Sequence, residues 1–407
     1  MTSARKYTHC SARRNRGAAL LSLLLMVIIA VSTVLVSSLL SGNLEVQRQQ
    51  KTLEAMAQAK QALIAWSVMQ GDVGTDSYRR PGTLPCPDAN FFGGVNSGNA
   101  AGSCSGAGGT SIGRLPWKSL GTDRLRDVNG ETLWYAISDK FRNPSLSSAA
   151  INSDTKGSLL LYAPDGTTLT TPAGEELAAI IFAPGLPLPG QDRAALPNAA
   201  ASYLDAFNGK NNANATGPFI MGPTKDGSGN VVVNDIVVGI TARELISAAE
   251  QRALNEATNA LKKYYDANGH YPNAAPFNGA DCTSLVTNVS ASTIPPCASD
   301  SAACFGRLPE DELTPHVAAW FTQNAWGRVM TYALNDASAA CPALLKVGGE
   351  TRSYVLIAPG SARNGQNRPS ASLSDYLEDP DNTDAWSGDP NFSVPGVNSN
   401  DQLRSLP

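Results

Sequence analysis

Residues 13–17 read Arg-Arg-Asn-Arg-Gly, and the next stretch, Ala18 to Leu40, reads AALLSLLLMVIIAVSTVLVSSLL. Those 23 residues carry no charge, and as a helix at about 1.5 Å per residue they reach about 34 Å, enough to cross a bilayer core. Arg5, Lys6, Arg13, Arg14 and Arg16 precede the run, and no acidic residue occurs before Glu45. Cations on that side place the N-terminus in the cytoplasm and the bulk of the chain across the inner membrane, in the periplasm. A removable secretory signal would have a shorter apolar core of about 7–15 residues followed by a small-residue site. The stretch is therefore read as a retained single-pass anchor.

Outward from the anchor, the 407-residue chain is 42% hydrophobic and 16% charged, with 36 Gly and 26 Pro, which fits a loop-rich folded body rather than a disordered chain. Lys and Arg number 31 against 35 Asp and Glu; residues 1–17 hold five cations and no acid, so without them the formal net charge goes from −4 to −9. So acidic a body lacks the clustered cations that phosphate contact needs, and nucleic acid is excluded as a general partner. Three histidines, His9, His270 and His316, rule out a dense histidine metal site.

Beyond the anchor, Leu53, Met56, Ala57, Lys60, Leu63, Ile64 and Ser67 recur at helical steps, predicting a helix to about Met69 that Gly71 and Gly74 stop. A second stripe, Leu245, Ile246, Ala249, Ala253, Ala257, Leu261, Tyr264 and Tyr265, predicts a helix from Thr241 to Asp266. Its interspersed Arg243, Glu244, Glu250, Arg252 and Lys262 keep it out of a membrane. Strands are expected at Thr132–Ile137, Ser158–Tyr162, Ala178–Phe182, Val231–Val238, Val329–Leu334 and Tyr354–Ile357.

The chain also repeats itself. The helical phrase 59–66 answers to 257–264, Gly113-Arg114-Leu115-Pro116 to Gly306-Arg307-Leu308-Pro309, and Tyr135-Ala136 to Tyr332-Ala333. Ile181–Gly185 answers to Leu356–Gly360, Gly190-Gln191-Asp192-Arg193 to Gly365-Gln366-Asn367-Arg368, Tyr203-Leu204 to Tyr376-Leu377, and Asn234-Asp235 to Asn400-Asp401. The matches keep their order while the offset shrinks from 198 to 166, as shortened loops would produce. Two related units in tandem are expected, 41–236 and 237–407, each a long helix on a small antiparallel sheet.

The basic leader ending in Gly17, the apolar run, and the phrases Arg-Pro-Gly-Thr-Leu-Pro-Cys-Pro-Asp at 80–88, Gly-Arg-Leu-Pro-Trp at 113–117, Leu-Trp-Tyr-Ala at 133–136 and Tyr-Pro-Asn at 271–273 resemble the type IV pilin-like and type II secretion pseudopilin family. That resemblance implies an α+β chain: a leader at 1–17, a transmembrane helix at 18–40 extending into a pilin-like head, then a second, duplicated head. It implies cleavage between Gly17 and Ala18 by a prepilin peptidase, methylation of the new N-terminus, and packing against other pilins or pseudopilins. Most members carry Glu at the fifth mature position, where a carboxylate in hydrocarbon costs about 2.5–3.5 kcal/mol and persists only when paired. This chain has Ser22 there, which points away from a repeating subunit and toward a tip or initiating one. The competing readings are a plain signal anchor, in which Gly17 is merely a small residue, and a signal-anchored periplasmic enzyme or ligand-binding protein with duplicated domains.

Apart from Cys10 in the leader, six cysteines remain: Cys86, Cys104, Cys282, Cys297, Cys304 and Cys341. An even count outside the cytoplasm reads as disulfides. Cys86 and Cys104 pair by elimination if the units are self-contained, and the other four allow three pairings. Asp379, Asp381 and Asp384, in a run with Asp375 and Glu378, offer the oxygens calcium takes, without EF-hand spacing; the alternative is a solvated acidic loop. Gly109-Thr-Ser111-Ile-Gly113 matches a nucleophile-elbow pattern but lacks the flanking strand and helix. No catalytic residue is assigned, no cofactor other than calcium is expected, and the chain is not read as an enzyme.

Overall fold

The computed structural model describes residues 46–71, 80–102, 104, 112–142, 149–172, 174–283, 295–335, 345–363, 365–384, 390–396 and 399–406. Gly17, Ala18, Ser22 and the whole apolar run lie outside them. Contacts divide the chain into Met1–Leu53 and Glu54–Pro407. Residues 46–53 of the first unit are helical; everything below concerns the second.

Helix α1 covers residues 54–68. It buries Met56, Ala59, Leu63 and Ser67, at steps of three, four and four, so the core face is a narrow stripe. Ala57, expected on that face, is exposed. Helix α2, Ala242–Asn268, opens with a reciprocal capping box: Thr241 Oγ1 accepts from the Glu244 amide at 3.1 Å, and the Glu244 carboxylate accepts from the Thr241 amide at 2.9 Å. It ends at Gly269, whose φ of 77° lets its amide donate back to Tyr265 O at 2.8 Å. Lys60 pairs with Glu244 at 2.7 Å, and Arg252 donates to the carbonyls of Val68 and Gln70. Both contacts climb in sequence together, so α1 and α2 lie side by side and parallel.

Two four-stranded sheets carry the repeated phrases. The first orders β1 (Ile112–Arg114), β2 (Trp134–Ile137), β3 (Leu177–Ala183) and β4 (Ile236–Thr241) from edge to edge; the second orders β5 (Phe305–Arg307), β6 (Thr331–Leu334), β7 (Tyr354–Ala358) and β8 (Gln402–Leu406). Every neighbouring pair in both is antiparallel. Gly113 faces Tyr135, which faces Ile181; Gly306 faces Tyr332, which faces Leu356. The matched residues thus take the same places in the two ladders. The glycine in each is demanded by a fifth backbone rung: Asp88 exchanges amide bonds with Arg114, and Ala275 with Arg307. A Cβ on Gly113 would stand 2.8 Å from Asp88 O, and one on Gly306 1.7 Å from Ala275 O.

Strand alternation sends Tyr135, Ile137, Ala179, Ile181 and Ala183 into the main core, and Trp134, Ala136, Ile180 and Phe182 into a second core with Tyr203, Leu204 and Phe219. The main core continues without a break through α1, α2 and the whole second sheet. Here the expected architecture is corrected. The described residues do not form a transmembrane helix running into one pilin-like head with a separate second head behind it. They form a mixed α/β body with two four-stranded sheets, one three-stranded sheet and three two-stranded pairs. Among the described residues no helix is long and apolar enough to cross a membrane. The physical reason is the shared burial: side chains of α1, α2 and both sheets lie in one continuous core, while the other face of the first sheet closes a second core of its own. The 236/237 boundary falls at the first residue of β4, a strand of the first sheet.

Cys86 is bonded to Cys104, and Cys282 to Cys297. Cys304 is disulfide-bonded too, and Cys341 lies outside the described residues.

Candidate functional site

Each half repeats a buried polar cluster built on its Gln-x-Arg, Tyr-Leu and Asn-Asp phrases. In the first, Arg193 donates to Gly185 O at 2.9 Å and Ser202 O at 3.1 Å, lies over the Tyr203 ring at 5.0 Å, and reaches Gln191 Oε1 at 3.2 Å. Gln191 donates to Asp205, which accepts from the Asn234 amide; Asp235 accepts from the Asp205 amide, each at 2.8 Å. In the second, Arg368 donates to Gly360 O at 2.7 Å and Asp375 O, lies over Tyr376 at 4.7 Å, and reaches Gln366 Oε1 at 2.8 Å. Gln366 donates to Glu378 at 2.8 Å, Glu378 accepts from the Asn400 amide at 3.2 Å, and Asp401 accepts from the Glu378 amide at 3.3 Å. Burial pushes the acids up: Asp205 to about 6, Asp401, beside Glu378, to about 7, and fully buried Asp235 well above the ordinary range.

Between the halves runs a seam of the same character. Asn324, wholly buried, accepts from Arg80 at 3.0 Å and from the Ile151 amide at 3.1 Å, and donates to Pro81 O at 2.9 Å. Asn152 donates to its carbonyl at 2.9 Å. Glu250, wholly buried on α2, accepts from Ser153 Oγ, from the Gly360 amide at 3.0 Å and from Gln402 Nε2 at 3.3 Å, and burial raises its pKa to about 7. Ser153 belongs to the first half, and Gly360 and Gln402 to the second, so one carboxyl group joins both.

Where the seam opens, it leaves a cavity of about 410 Å³. Lys140, Asn152, Asp154 and Lys156 line it from the first half, and Arg328, Arg368 and Tyr376 from the second. Arg328 is neutralised by Glu310 through bonds of 3.0–3.1 Å. Asp154 is held up at about 6 by burial, against the pull of Arg368, Arg307 and Lys156, and its Oδ1 is buried without a hydrogen-bond partner.

The residues singled out in the sequence do not meet here. Cys282 alone among them touches the cavity, as half of a disulfide. Asp379 precedes, Asp381 lies within and Asp384 ends a one-turn helix, Pro380–Asp384, and Asp379 Oδ1 accepts from the Asp381 amide at 3.0 Å. Among the described residues no group of three or more His, Cys, Asp or Glu is placed to hold a metal. Ser111 lies outside the described residues, and a strand, Ile112–Arg114, follows it rather than a helix. His270 and His316 both stand edge-on to the Tyr264 ring, at 5.9 Å. What sequence reasoning missed is the clusters themselves: their residues are the repeated polar ones, and repetition of buried Gln, Arg, Asp and Glu was the signal available.

No family model, no curated protein and no solved structure matches this chain.

Proposed function

We propose that the chain is a minor pilin or pseudopilin, the tip or initiating subunit of a type IV pilus or type II secretion filament, held at the inner membrane by its N-terminal segment with its bulk in the periplasm. The observation that carries this reading is the order Arg13-Arg14-Asn15-Arg16-Gly17 directly before 23 uncharged residues. Ser22 in place of the family's Glu supports an end position over a repeating one. The disulfides suit an oxidising compartment. The partners of this reading are prepilin peptidase and other pilins or pseudopilins.

Intact-mass and N-terminal analysis of membrane-extracted protein, with and without co-expressed prepilin peptidase, tests it. The expected result is a peptidase-dependent start at Ala18 carrying one added methyl, abolished in Gly17→Leu. A Met1 start in the presence of active peptidase overturns the reading. The cavity at the seam favours a second reading, a signal-anchored periplasmic ligand-binding protein, and that outcome would select it.

A further inference from the structure

The duplication supplies an internal control for charge. In the first half, Arg114 lies 3.7 Å from Asp88, and Arg193 pairs with Glu131 at 3.0 Å. Their counterparts in the second half, Arg307 and Arg368, make no ion pair among the described residues. Arg307 donates to Phe277 O at 2.9 Å, Ser370 O at 2.7 Å and Arg328 O, and stacks on Phe277 and Tyr376 at 4.1 and 4.7 Å. Arg368 likewise spends its donors on carbonyls and Gln366, and lies 4.7 Å from the centre of the Tyr376 ring. The Tyr376 ring therefore sits against two guanidinium groups, both buried and neither in an ion pair among the described residues, with the Asp154 carboxyl group as the charge drawn on by both. Carbonyl bonds satisfy hydrogen-bonding capacity but do not cancel charge, so the positive potential persists into the adjacent space.

That space is the cavity, and its first-half wall adds Lys140 and Lys156, both exposed and without an ion pair among the described residues. Set against four cations is one carboxylate not used elsewhere, Asp154. A ligand complementary to these walls presents an anionic group to the lysines, in the field of Arg307 and Arg368, and a hydrogen-bond donor to Asp154. We propose that the cavity between the halves binds a small carboxylate bearing an adjacent amino or hydroxyl group, with Lys140 and Lys156 holding the carboxylate and Asp154 accepting from the neighbouring donor. The site does not depend on the filament reading.

Calorimetric titration and thermal unfolding of the full chain in detergent, with L-alanine, L-lactate, propionate and inorganic phosphate as probes, test it. L-alanine or L-lactate is expected to bind and raise the unfolding midpoint. The Lys140→Met/Lys156→Met double variant should weaken binding at least about tenfold, as loss of roughly 1.4 kcal/mol requires. Asp154→Asn should weaken alanine binding without weakening propionate binding, and wild-type alanine binding should fall as Asp154 protonates below about pH 6. Both variants alter residues at the cavity wall, and an unchanged circular-dichroism spectrum with a cooperative melt checks that they fold. No binding of alanine or lactate at tens of millimolar, binding indifferent to the lysine variant, or phosphate preferred over both in a manner insensitive to Asp154→Asn would each overturn the proposal.

Discussion

The first half closes its arginine clusters with carboxylates, while the second closes the equivalent clusters with carbonyls and aromatic rings. The backbone plan is the same in both: sheet order, register, the glycine at the fifth rung and the Gln-Arg-Tyr-acid-Asn-Asp circuit. What changed is the way the charge is met, and Arg368, one of the two unpaired arginines, lines the cavity. The contrast separates two tasks that one sequence phrase performs, fixing loops to a sheet edge and setting a local potential.

The sharpest way to break the comparison is at the two glycines. Gly306→Ala drives a Cβ to 1.7 Å from Ala275 O, and Gly113→Ala only to 2.8 Å from Asp88 O. Overpacking costs about 1–3 kcal/mol and more when backbone must move, so denaturant unfolding should show Gly306→Ala as the worse of the pair, at or beyond the upper figure. Equal losses would mean the fifth rung relaxes freely in both halves.

Comparable in size is the effect expected at the buried pair of Arg328 with Glu310. Arg328→Met strands a buried carboxylate and should cost about 3–5 kcal/mol. Arg193→Met removes a pair whose Glu131 side chain is 30% exposed, and should cost about 1 kcal/mol, the upper end for pairs near water.

The carboxyl groups sharpen the comparison through pH. Asp205 at about 6 and Asp401 and Glu250 at about 7 lie above their unfolded values near 4. For an acid with a raised folded pKa, the folded state holds the extra proton. Its stabilising contribution is full below about pH 4 and is lost as pH climbs through 6 to 7. The unfolding midpoint should therefore fall between pH 5 and pH 8, and Glu250→Gln, which keeps a neutral side chain, should flatten that slope. A midpoint rising across the same interval in the wild type would contradict the burial assigned to all three. The smallest effect belongs to Lys60→Met, which breaks the partly exposed pair with Glu244 and should cost about 0.5 kcal/mol.

The repeated apolar phrases were legible because a short continuous apolar run is a local signal: Leu177–Ala183 and Tyr354–Ala358 stand within a residue of where such runs put them. Gln402–Leu406 was not, since its Gln, Arg and Ser carry no strand signal and pairing with Tyr354–Ala358 alone makes it a strand. The union of the halves escaped too, because Met56 and Leu63 read as a core face without naming what they face. The cavity depends on residues from distant segments, Lys140, Asp154, Arg328 and Arg368, none adjacent in sequence to another. Only the missing counterparts of Asp88 and Glu131 hinted at it, and that hint requires knowing which residues oppose one another.

The two parallel helices carry one more implication, about symmetry. They meet at a sequence offset of 184, whereas the repeat aligns the same helices at 198. The second copy is thus slid by about 14 residues, roughly 21 Å, along a shared direction. A two-fold axis would set like against like; this slide sets unlike surfaces together, the head-to-tail kind of contact that does not close upon itself. Within a single chain, the copies are related as successive members of an open row.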